Sequence, residues 1–96
     1  MIETSDVSPR YYVYILFSLK DRGWYIGFTT DLKKRLVWHS KSLVPSTKFR
    51  APFKLIHYEY FINKADAKAR EKFLKSGFGR AQMKKALKRT LNKFPA

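Results

Sequence analysis

The chain has 96 residues, no cysteine and a formal net charge of +14. That length allows one domain around a small core, and a hydrophobic content of 45% is enough to build it. The lack of cysteine excludes disulfides and any Cys-ligated zinc or iron–sulfur centre, and no apolar run approaches the ~18 residues of a membrane span.

Residues 1–10, MIETSDVSPR, lack the basic-then-apolar signature of a signal peptide and read as a polar leader. A single domain is expected over residues 11–93, in a cytoplasmic protein that is a monomer or a weak dimer. The charge is unevenly placed. Residues 1–32 hold three basic and four acidic residues, a net of −1, whereas residues 33–96 hold eighteen and three, a net of +15. So large and asymmetric an excess points to a polyanionic partner, with nucleic acid first among them.

Tyr11 to Leu19 is rich in β-branched and aromatic residues and apolar on both alternating faces, which predicts a strand covered on both sides. Lys20-Asp21-Arg22-Gly23 is turn chemistry, with Gly23 expected to take the positive φ. Trp24 to Phe28 is the partner strand, interrupted by Gly27, where a bulge or a close backbone approach is expected. Thr29, Thr30 and Asp31 each offer an N-cap to a following helix. Leu32, Leu36 and Leu43 recur at helical spacing and are expected to mark its inward face. Arg35 and His39 are four apart and share that face, so both need partners there.

Ser40 to Ala51 lacks a period, contains Pro45 and reads as a basic loop. Pro52 to Ile62 predicts a third strand. Strict alternation puts Phe53, Leu55, His57 and Phe61 on one face and Ile56, Tyr58, Tyr60 and Ile62 on the other. His57 is read as a packed or surface residue rather than a ligand. Asn63 offers an N-cap to a helix running to about Ser76, closed by Gly77 as a C′ residue. A basic amphipathic helix is expected from about Arg80 to Lys93, with Met83, Leu87, Leu91 and Phe94 as its apolar stripe. Lys84, Lys85 and Lys88 lie off that stripe and are candidate phosphate contacts.

Val13-Tyr14-Ile15, Tyr25-Ile26-Gly27, then Arg35 and His39, with Glu71 in AREKFLK (residues 69–75), form an ordered set that resembles the GIY-YIG nuclease superfamily. The first triplet is VYI where the family name has GIY; the second stands as YIG. The resemblance covers roughly Tyr12 to Arg89. It is nearest to short bacterial proteins similar to the nuclease domain of the excision-repair incision subunit.

The resemblance implies an α/β (α+β) fold: a small three-stranded, mainly antiparallel sheet flanked by about three helices. It implies a metal-dependent endonuclease that cuts DNA by water attack, in repair or recombination. Branched, flexible or damaged DNA would then be preferred over a particular sequence. It assigns Glu71 to one Mg²⁺ or Mn²⁺, Arg35 to the scissile phosphate and Tyr14 to activating the water. Tyr25 would sit beside Tyr14 and orient the phosphate or a metal-bound water, and Gly27 would let the backbone approach the substrate. His39 shares or replaces the role of Tyr14, and the sequence leaves that choice open. One departure stands out: many members carry an asparagine beyond the helix of the metal glutamate, and none occurs here between Glu71 and Asn92. The alternative is a nucleic-acid-binding module of the same fold that does not cut.

Overall fold

The protein is described here by a computed structural model that defines residues 10–94. Tyr11–Ser18 forms β1, Trp24–Thr29 β2 and Phe53–Phe61 β3. The sheet order is β2-β1-β3 and both pairings are antiparallel. β1 is therefore the central strand, and its six residues from Val13 to Ser18 are all buried. This is what an apolar run on both alternating faces requires.

The turn between β1 and β2 departs from expectation. Arg22, not Gly23, takes the left-handed conformation, with φ of 63°. The Asp21 carboxylate accepts from the Gly23 N–H at 2.7 Å, and Arg22 N–H bonds back to the Ser18 carbonyl at 2.8 Å. Those two bonds tie the turn on either side of Arg22, so the positive φ falls there.

Helix α1 spans Leu32–Ser40, and Asp31 is its N-cap, accepting from Lys34 N–H at 3.0 Å. The chain reverses at Ser42, whose φ is 58°. Leu43 thus lies outside the helix and is exposed, contrary to the inward position its spacing suggested.

β3 corrects the strict alternation. Ile15 pairs with His57 but Leu16 pairs with Leu55, so Ile56 is the extra residue of a β-bulge. A bulge shifts the facing of every residue on one side of it. Phe53 and Leu55 consequently share a face with Tyr58 and Tyr60, while Ile56 and Phe61 pack on the core cluster.

Asn63 caps α2 (Lys64–Leu74) as expected, accepting from Asp66 N–H at 3.0 Å. Gly77 does not end α2; it is the first residue of α3 (Gly77–Ala86), whose N-cap is Ser76. Gly79 is the position that needs no side chain, since a Cβ there would lie 2.0 Å from the Phe73 carbonyl oxygen. The expected single last helix is also broken: α3 ends at Ala86 with Leu87 as its C-cap, and one further turn, α4, spans Lys88–Leu91. Among the described residues there are four helices, one of them a single turn, in keeping with the about three expected.

The core lies on one side of the sheet. Val13, Ile15, Phe17, Trp24 and Ile26 meet Ala67 and Leu74 of α2 and Met83 of α3. Leu87, Leu91 and Phe94 cover it further, so the predicted apolar stripe is used even though its helix is broken. On this side Arg70 holds Glu59 with two bonds, at 2.9 and 3.1 Å, and His57 Nε2 lies 2.9 Å from the same carboxylate.

Candidate active site

The other side of the sheet carries Tyr12, Tyr14, Leu16 and Ser18 by alternation along β1, and α1 brings His39 onto it. Tyr14 is fully buried there, His39 is 2% exposed and Thr47 is 1% exposed. Tyr14 Oη lies 2.8 Å from His39 Nε2, and His39 Nδ1 lies 2.8 Å from Thr47 Oγ1. The Thr47 hydroxyl has the Val44 carbonyl at 3.3 Å to donate to, so it is left to accept from His39 Nδ1–H. Nε2 then accepts from the Tyr14 hydroxyl, in a directed chain from phenol to imidazole to threonine.

Burial keeps both members neutral. The Tyr14 phenol is pushed well above its ordinary 10.0, first by desolvation and then by Tyr25, with the nearby Arg35 charge acting in the opposite sense. His39 is lowered from 6.5 to about 4, first by desolvation and then by Arg35. The neutral imidazole thus presents its accepting Nε2 to the Tyr14 hydroxyl.

Tyr25 is not directly across from Tyr14. The register pairs Tyr14 with Gly27 and Tyr25 with Leu16. The two tyrosines are diagonal neighbours, with ring centroids 6.2 Å apart, and the Tyr25 ring lies 5.1 Å from that of His39. The close approach predicted at Gly27 is made by Tyr14 itself: a Cβ on Gly27 would lie 2.4 Å from the Tyr14 Cζ and Oη.

Arg35 is one turn before His39 on α1 and is half-buried. Its guanidinium carbon lies 5.3 Å from the centre of the Trp38 ring. It lines a cleft of about 280 Å³ with Thr29, Thr30, Asp31, Lys34 and Trp38. A guanidinium and a lysine lining one cleft suit an anion of the size of a phosphate.

Sequence reasoning missed two contributors. Thr47 sits in the loop read only as basic and without a period, yet it is buried and fixes the His39 tautomer. The loop is held down by Ser18 Oγ donating to the Arg50 carbonyl at 2.6 Å and by the Arg50–Asp21 pair at 2.5 Å. Phe53 reaches the His39 ring, at 6.0 Å between centroids, only because the bulge turns it to that side. Neither signal is local: a threonine in a polar loop has no pattern, and a bulge has no residue type.

Glu71 stands apart from this cluster. It lies on α2, which packs on the opposite side of the sheet from Tyr14. Its side chain is 14% exposed and accepts from Lys68 at 3.5 Å and Lys75 at 3.0 Å. Lys68 also rests on the ring of Phe28 in the edge strand β2, at 4.2 Å. Glu71 therefore lies at the β2 margin of α2, and Arg70 points toward β3. It is the acidic group available to a cation at that margin; among the described residues no three of His, Cys, Asp and Glu stand together. Lys84, Lys85 and Lys88 are exposed on α3 and α4, and Asn92 is an exposed C-cap of α4. Among the described residues no helix is long and apolar enough to cross a membrane.

The profile of the GIY-YIG catalytic domain matches residues 10–86. A UPF0213 protein of Clostridium perfringens is 42% identical over 65 residues, 67% of this chain and 69% of that one. A UPF0213 protein of Streptococcus pyogenes is 39% identical over 76 residues, 78% of this chain and 82% of the other. The solution structure of a UPF0213 protein from Bacillus halodurans superposes with a TM-score of 0.50 at 35% identity, covering 77% of this chain and 81% of that one.

Proposed function

The chain belongs to the GIY-YIG catalytic domain family, and we propose that it is a divalent-metal-dependent endonuclease that hydrolyses phosphodiester bonds in DNA. The observation that carries this reading is the buried bond of 2.8 Å between Tyr14 Oη and His39 Nε2, with His39 oriented by Thr47. A packed aromatic pair needs no such directed chain, whereas general-base catalysis does.

In this reading the attacking water gives its proton to Tyr14 Oη as the Tyr14 proton passes to His39 Nε2. The hydroxide oxygen forms its bond to phosphorus, and the bond to the leaving oxygen breaks. Arg35 holds the phosphate and offsets charge in the transition state. Its charge is also one of the two causes that lower the His39 pKa. A phosphate bound to Arg35 offsets that charge, so His39 becomes a stronger base when substrate arrives. Tyr25, packed on both rings, fixes the phenol and the imidazole against each other.

Glu71 is the residue that would hold Mg²⁺ or Mn²⁺. A lone carboxylate suits an ion that keeps most of its water shell and takes further oxygens from the substrate. Lys68 and Lys75, which pair with the two Glu71 oxygens, would have to swing aside to admit the ion, and both are long and more than half exposed. A divalent ion held there would supply charge stabilisation to a phosphate and departing oxygen brought to the β2 margin.

The second reading, a module that binds nucleic acid without cutting, is favoured by the complete burial of Tyr14 and the absence of an asparagine between Glu71 and Asn92. One assay separates the two. Wild type and Glu71→Gln are incubated with flexible and branched DNA in Mg²⁺ and in Mn²⁺, with binding followed in parallel. The nuclease reading expects cutting by wild type alone and binding by both. Binding without cutting by wild type on every DNA hands the protein to the second reading.

A further inference from the structure

We propose that Tyr12, Tyr58 and Tyr60 form a stacking platform for unpaired bases of a nucleic-acid strand that leads into the Tyr14 site. The proposal rests on the nuclease reading for its destination but not for its chemistry. Tyr12 and Tyr14 alternate onto the same side of β1, and the register pairs Tyr12 with Tyr60 and Tyr14 with Tyr58. Directly paired residues point to the same side of a sheet. The three rings therefore lie on the side of the candidate site, and Tyr58 is the immediate cross-strand neighbour of the catalytic candidate.

Tyr12 contacts both other rings and is half-buried, while Tyr58 and Tyr60 are open to solvent. Tyr12 meets Tyr58 at 6.2 Å and Tyr60 at 5.6 Å between centroids, both edge-on. Tyr58 is 53% exposed and Tyr60 40%. A hollow of about 480 Å³ separates the helix start from the platform, lined by Tyr12 and Tyr58 on one flank and Leu32 and Lys33 on the other, with Arg10 at its rim. The carboxylate in that hollow, Asp31, is engaged by the Lys34 backbone N–H as the α1 cap.

Three observations select the occupant. The aromatics on this patch are all tyrosines, whose ring faces suit stacking on bases. The cations at its edges, Arg10 and Lys33, match a phosphate backbone, as does the net +15 of residues 33–96. Paired bases keep their faces inside the duplex stack, so only unpaired bases can lie on tyrosine rings. The platform thus assigns a strand with unpaired nucleotides beside the cut, read without regard to sequence.

Tyr58 is exposed, so its substitution spares the core. Binding of a short labelled oligothymidine and of a blunt duplex of equal length is measured by fluorescence anisotropy in EDTA, where no cutting occurs. Tyr58→Ala should weaken the single strand about tenfold or more, the loss of one stacked base, and leave the duplex unchanged; Tyr58→Trp should keep wild-type affinity. Equal weakening of both ligands, or no change in either, overturns the platform. So does a Tyr58→Ala variant that loses self-association in sedimentation while still binding the single strand, because the face then belongs to a second copy of the chain. A wild type that binds the strand through Tyr58 and never cuts keeps the platform and removes the nuclease reading.

Discussion

Gly27 lies opposite Tyr14 across β1 and β2, and the Tyr14 ring fills the space where any other residue would place its Cβ. The separation from that point to the Tyr14 Oη would be 2.4 Å, with backbone on one side and a buried ring on the other. The glycine therefore sets where the phenol stands, and through it the bond to His39.

Gly27→Ala should accordingly displace the Tyr14 hydroxyl and break its bond to His39. Overpacking of this kind destabilises by about 1–3 kcal/mol. The expected outcome is a lower denaturation midpoint together with loss of DNA cutting, while binding by the exposed lysines persists. An alanine variant as stable and as active as wild type would show that the ring has room to move.

Glu71→Gln should separate function from folding. The Glu71 partners, Lys68 and Lys75, are themselves 52% and 55% exposed, so their ion pairs are well screened. Exposed pairs contribute about 0–1 kcal/mol. The denaturant midpoint should move by no more than that, against complete loss of cleavage. A large drop in stability would instead make Glu71 a structural anchor at the β2 margin.

The buried His39 should make stability fall on acidification. Its folded-state pKa is about 4 against an ordinary 6.5, so between those values the unfolded chain binds a proton that the folded chain refuses. Stability then rises with pH across that window. The contribution is complete above 6.5 and is lost progressively as pH drops toward 4, by up to about 3 kcal/mol. Glu59, held below its ordinary 4.5 by Arg70 and His57 against its own desolvation, adds its loss only at the acid end of the same range. Denaturant midpoints taken at steps between the two His39 values test this; His39→Gln should flatten the slope at the upper end.

The basic second half should govern affinity. If about five phosphates are neutralised, log K falls with log salt at a slope of roughly −4 to −5. Lys84, Lys85 and Lys88 are exposed and off the Met83, Leu87 and Leu91 stripe, so reversing all three to glutamate should leave the melting curve in place. DNA binding should weaken and the slope should become shallower by about three units. An unchanged slope would mean that these lysines serve solubility alone.

Much of this protein is legible in its residues because the governing signals are local. The apolar run of β1 fixes it as the central strand, Asp31 and Asn63 start their helices, and the stripe from Met83 to Phe94 finds the core. The order Tyr14, Tyr25, Arg35, His39, Glu71 identifies the family, since it is a spacing and spacing is sequence. What the tertiary structure decided is which of these meet. The bulge at Ile56 turns Phe53 and Leu55 to the side of His39 and leaves Tyr58 and Tyr60 on the open face beside Tyr14. One inserted residue does this because strand facing has a period of two. The tight approach at Gly27 needs both strands in register, and the buried bond from His39 to Thr47 needs a loop folded back under α1. Those contacts join residues distant along the chain, and no local preference of either partner encodes them.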